Sequence, residues 1–270
     1  MRLDSLRNAY VRIKPVFYTI FFEIRLHMKK FIVFSVATIL LLTINSYIPY
    51  VFISSRMLPD SQAFFYEFGT MYFLIILVLA VSFFFGGIIS EFKNKTGLEI
   101  LPLTNRYKLL IGRYIANSIL VIGIVTVHYL TMALFGYNFY GGPLLKTLLY
   151  SFSFAVLYVF ALGSIVTFFS SFLPSPILVI IIISGFILFV DAMMGFLIMG
   201  ISSELEPLYS LVYLFEIIRY ILYPDFFAME RFDPTGRWLF PSIEGAFITL
   251  SLYAIIFFLM GSLIFRRRDF

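Results

Sequence analysis

Charged residues are spaced so far apart in this chain that the gaps between them define its layout. Residues 31–55, 68–90, 114–145, 147–190 and 245–265 contain no Asp, Glu, Lys or Arg. A helix needs about 20 apolar residues, rising 1.5 Å each, to cross a hydrocarbon layer of about 30 Å. Four of these stretches hold one such helix each. The 44 residues from Thr147 to Val190 hold two, separated by Leu173-Pro174-Ser175-Pro176, because proline lacks an N–H and restricts the residue before it. The pattern predicts six spans, near 31–53, 65–90, 109–135, 146–171, 177–199 and 243–265.

The basic residues give the six spans a direction. Arg2, Arg7, Arg12, Lys14, Arg25, Lys29 and Lys30 precede span one. Lys93, Lys95, Arg106, Lys108 and Arg113 lie around the connection from span two to span three, and Arg266, Arg267 and Arg268 follow span six. With six spans these fifteen share one side, against five on the other (Arg56, Lys146, Arg219, Arg231, Arg237). Lys and Arg concentrate in cytoplasmic loops, so both termini are expected in the cytoplasm and the chain in the plasma membrane.

Two segments fit neither span nor simple loop. In residues 1–30, Leu3, Leu6, Tyr10 and Ile13, then Phe17, Ile20, Phe21, Ile24 and Met28, recur at helical spacing among basic residues. This is the pattern of an amphipathic helix lying in the headgroup plane. Residues 200–242 are too long for a bare connection. Their apolar middle, Tyr209–Tyr223, is interrupted by Glu216 and Arg219, which are three apart and can pair on one helix face. That middle reads as a re-entrant or interfacial helix on the outer side.

Composition agrees and narrows the function. Hydrophobic residues make up 61% of the 270 positions and charged residues 13%, about half the charged share of a soluble domain. The net charge of +5 flanks apolar spans, so it is assigned to the membrane surface and not to nucleic acid. The absence of cysteine and the presence of only two histidines leave no thiolate chemistry and little for a metal site. No glycine-rich phosphate loop of the form G-x-x-x-x-G-K-[ST] occurs, so the chain cannot hydrolyse ATP by that route. No catalytic residue is expected in it.

The most informative stretch is Ser90–Asn117, SEFKNKTGLEILPLTNRYKLLIGRYIAN. Thr96 is a candidate N-cap with Glu99 three residues on, the spacing of a capping box. Pro102 ends that short helix, and Asn105 can cap span three. This order resembles the permeases of type-2 ABC exporters. In that family a Glu at the end of span two precedes a short helix with a Thr/Gly-Leu-Glu-x-Leu core, a Pro, and an Arg before a third span opened by Gly-Lys. Glu91, Thr96, Gly97, Leu98, Glu99, Leu101, Pro102, Arg106 and Gly112 match, and Arg113 replaces the usual Lys. The resemblance implies that residues 91–107 are a coupling helix region seated on a separate P-loop ATPase subunit, which binds the ATP and Mg. It also implies a second permease copy or a related permease as partner, and short re-entrant outer helices in residues 200–242. It reads the N-terminal helix as a connecting helix. The expected fold class is therefore an all-α membrane protein of one domain. The expected function is outward movement of an amphipathic or hydrophobic cargo such as a lipid, drug, peptide or glycan precursor.

Ionisable groups within spans are costly and attract functional hypotheses. Asp191 in span five and His128 in span three form the candidate intramembrane polar site. They support the alternative of a proton-coupled secondary transporter. A membrane immunity or assembly protein is a third reading. Asn45 and Asn117 read as interhelical glue. Gly163 and Gly185, among other glycines, read as points of close helix approach, and Phe83-Phe84-Phe85 as lipid-facing packing.

Overall fold

The computed structural model describes residues 2–47, 62–90, 106–141, 146–191, 193, 206–223, 226–233 and 237–267. Its helices are α1 (Arg2–Leu42), α2 (Gln62–Met71), α3 (Phe73–Phe85), α4 (Gly87–Ser90), α5 (Arg106–Tyr140), α6 (Lys146–Phe172), α7 (Pro176–Gly185), α8 (Leu211–Tyr220) and α9 (Ile243–Arg267). Wide π-helical turns, Thr43–Tyr47 and Phe186–Asp191, prolong α1 and α7. A two-residue antiparallel ladder pairs Phe232–Asp233 with Arg237–Trp238. Helices Lys14–Asn45, Tyr107–Tyr140, Lys146–Phe172 and Ile243–Arg266 are each long and apolar enough to cross a membrane. The pair Phe65–Met71 and Phe73–Ile89, bent by 44°, is long and apolar enough for a fifth if it crosses as one span. The chain is thus a helical protein of membrane type.

The faces of α1 show how such a protein partitions its residues. Glu23, His27, Ser35, Thr38 and Leu42 are buried along one seam, while Phe17, Tyr18, Phe21, Phe22, Leu26 and Val33 face outward, all more than half exposed. A soluble helix has the opposite arrangement. With lipid outside, the polar side chains turn inward, where partners wait, and the aromatic ones turn outward. Some hydroxyls bond back within the helix, as Thr38 does to the Phe34 carbonyl at 2.8 Å, while the buried Ser35 hydroxyl has no partner among the described residues.

The described bounds differ from the expected spans in several places. No break separates an interfacial helix from span one: α1 runs through Pro15 without interruption. Proline removes a single donor, and Thr19 donates its hydroxyl to the Pro15 carbonyl at 2.9 Å. The stripe Phe17 and Phe21 faces outward, not onto protein. Span two is segmented where one run was expected, and span three extends over all of α5. Span five is described only as Pro176–Asp191. The break before it is as expected, with Pro176 at the first turn and Ser175 as N-cap, its hydroxyl accepting from the Ile177 N–H at 3.3 Å. Phe84 and Phe85 are fully buried, and only Phe83 of that trio is exposed.

Helix α3 buries nine of its residues between α1, α5, α6 and α7, and α6 packs against α3, α4, α5, α7, α8 and α9. Helix α9 lies along α6, and α1 along α5. Close approach depends on glycine. A Cβ on Gly163 would come within 2.8 Å of the buried Phe85 ring, and one on Gly261 within 3.2 Å of the Phe168 backbone. Among the described residues a Cβ on Gly185 would meet nothing within 4 Å, so none of them makes the close approach expected there.

Gly261→Leu is expected to push α9 off α6 and to cost about 1–3 kcal/mol, the usual cost of overpacking. Thermal unfolding in detergent checks this. An unchanged midpoint would contradict the described contact.

Candidate functional site

Polar side chains collect at two ends of the bundle. At the first end, Glu23 of α1 meets Arg113 of α5 at 2.6 Å and His27 at 3.3 Å. Arg113 also donates to the Ile88 carbonyl of α4 at 3.1 Å. All three side chains are almost fully buried. Ser170 of α6 completes the junction: it donates to the Gly86 carbonyl at 3.0 Å and accepts from the Ile89 N–H at 3.2 Å. The cavity beside Glu23, His27, Arg113 and Asn117 measures about 10 Å³, the volume of about one water. It is a joint and not a cargo site. Removing one partner of a buried ion pair strands the other charge.

This joint lies at the base of the connection between α4 and α5. Arg113, expected to form part of the coupling region, therefore points into the bundle. Arg106 opens α5. Glu91, Thr96, Gly97, Leu98, Glu99, Leu101 and Pro102 lie outside the described residues.

The second end is organised by α8. Ser210 caps its first turn, accepting from the Tyr213 N–H at 3.1 Å. The Asp191 Oδ2 accepts from the Val212 N–H at 2.9 Å and from the Ser210 hydroxyl at 3.1 Å. At the other end, the Tyr129 hydroxyl lies 2.6 Å from the Ser151 hydroxyl, which donates to the Ile218 carbonyl at 2.5 Å. Helix termini leave unpaired N–H and C=O groups, and here Asp191, the N-cap Ser210 and Ser151 of α6 satisfy three of them.

Charged groups bind the flank of α8. Arg219 pairs with Glu67 of α2 at 2.6 Å and with Glu216 at 3.1 Å. The Glu216–Arg219 pair was expected from spacing. Glu67 could not be, because no local pattern links α2 to α8. Burial pushes the Glu216 carboxyl up to about 7, with Arg219 pulling it down and Glu67 pushing it further up. Glu206 collects Arg231 at 3.0 Å, the Ser242 N–H at 3.1 Å and the Tyr213 hydroxyl at 3.4 Å.

Asp191 and His128 do not form one site. His128 is fully buried, stacked on Phe73 with ring centroids 3.8 Å apart. Neither of its ring nitrogens has a hydrogen-bond partner among the described residues. Asp191 has its own partners on α8. Asn117, expected as interhelical glue, has an amide oxygen with no partner among the described residues. No group of three metal-ligating side chains occurs among them. The joint at Glu23 escaped sequence reasoning because residues 1–30 read as a helix on the membrane surface, with no partner helix for its polar side. The four-residue spacing of Glu23 and His27 was the available signal.

The chain matches no protein-family model and no curated protein.

Two outcomes follow from these contacts. Glu23→Ala should destabilise by about 3–5 kcal/mol, and less when combined with Arg113→Met, a coupling read by a double-mutant cycle of unfolding midpoints. For Glu216, a carboxyl raised in the folded state binds more protons than the unfolded chain between its ordinary value and about 7. Stability contributed there is present at low pH and lost as pH rises through that window. The unfolding midpoint should fall from pH 5 to pH 8, and Glu216→Gln should flatten this dependence.

Proposed function

We propose that the chain is the transmembrane permease subunit of an ATP-driven exporter of the type-2 ABC class. It would have six spans and both termini in the cytoplasm. The observation that carries the reading is the segment Glu91–Arg106, with its Thr-Gly-Leu-Glu-x-Leu-Pro run between two apolar helices. The joint beneath that segment supports it. Arg113 ties the base of the connection to α1 through Glu23 and to α4 through Ile88, so a push on the connection has a stiff path into the bundle.

In this mechanism a separate P-loop ATPase binds ATP and Mg and moves the coupling segment. Two permeases, identical or related, then switch packing as rigid bodies. The cargo is amphipathic or hydrophobic. The proton-coupled alternative needs Asp191 and His128 in one relay, and their surroundings are separate.

Purification of the tagged chain in mild detergent tests the reading. A P-loop ATPase should co-purify and be lost on Glu99→Lys. Failure to recover any ATPase, even after crosslinking, would sink it.

A further inference from the structure

A cavity of about 460 Å³ lies where α6, α7, α8 and α9 converge. Ligand pockets typically measure about 300–1,000 Å³. Its walls are apolar and aromatic, with Phe169, Phe186, Phe257, Tyr209 and Tyr253 among them, and its one charged wall residue is Asp191. The π-helical turn Phe186–Asp191 ends on this carboxylate, and such turns recur at functional positions.

The carboxylate is only partly used. Both described hydrogen bonds go to Oδ2. Among the described residues no Lys, Arg or His pairs with Asp191. It is 7% exposed, and the Tyr209 and Tyr253 side chains line the same hollow. A buried carboxylate that lacks a cation and borders an aromatic hollow attracts a positive group. The sides of the opening are exposed: Phe186 by 53%, Val190 by 45% and Tyr209 by 47%. With span five in the bilayer, as the proposed six-span layout has it, these exposed apolar side chains border lipid and the opening admits a molecule already dissolved there.

We propose that this cavity binds an amphipathic monocation, with Asp191 as its counter-charge and the aromatic side chains as its apolar walls. Calling the occupant a cargo rests on the exporter reading. The binding itself does not, since the cavity is built by this chain alone.

The test uses the full chain in nanodiscs of zwitterionic phosphatidylcholine, with empty discs as background. Tetraphenylphosphonium is the probe, and tetraphenylborate, of the same shape and opposite charge, is the control. Saturable binding of the cation and none of the anion is expected. Asp191→Asn keeps an acceptor for the α8 cap and should weaken cation binding by about tenfold or more. Val190→Trp, at the mouth, should abolish saturable binding with the carboxylate intact, and it decides the matter if the Asp191 variant does not fold. Unchanged cation binding in either folded variant, equal binding of the anion, or no saturable binding to the wild type overturns the proposal. Cation binding without a co-purifying ATPase would keep the site and discard the exporter reading. An ATPase partner without cation binding would do the reverse.

Discussion

Where lipid replaces water, a polar atom has no solvent to return to, and the arrangement of this chain follows from that constraint. Each unsatisfied group costs several kcal/mol in hydrocarbon. The polar side chains of α1 therefore form its inner seam, and Glu23 finds Arg113 and His27 there. The same constraint governs α8, a ten-residue helix whose ends would otherwise present bare N–H and C=O groups. Asp191 and Ser210 take one end and Ser151 takes the other. The final carbonyls around Ile218 are met within the chain's own next turn, by the N–H groups of Ile221, Leu222 and Tyr223.

These contacts connect elements far apart in sequence. Tyr129, Ser151 and Ile218 link α5, α6 and α8 in one run of hydrogen bonds. Arg219 and Glu67 link α8 to α2. Ser82 and Ser184 link α3 to α7 at 3.1 Å. The apolar contacts that fill the bundle are alike in kind on the lipid side and the protein side. The polar links thus fix which helix faces which, as hydrogen bonds do between membrane helices.

Much of the helix layout was legible because it depends on length. A stretch of apolar residues long enough to cross a bilayer announces itself, and so does the double proline before α7. The Glu216–Arg219 pair was legible because it is local. The inner face of α1 was not: the stripe through Phe17 and Phe21 reads as a membrane-facing surface and does face outward, but nothing local showed that Glu23 and His27 on the other side meet Arg113 of a distant helix. The capping role of Asp191 was not legible either. Its partners Ser210 and Val212 are some twenty positions away, and nothing near residue 191 specifies them. The separation of His128 from Asp191 was invisible for the same reason. Depth along a span can be counted from sequence, but the azimuth of a side chain around the bundle axis cannot.

A cavity that opens to lipid, as proposed for the one bordered by Asp191, changes what its occupancy measures. A solute reaching Asp191 from the leaflet is already concentrated there by partitioning. The quantity that fills the site is then its mole fraction in the lipid and not its concentration in water. A weak intrinsic affinity is enough under those conditions. Two compounds of equal fit would be ranked by how well they dissolve in the membrane.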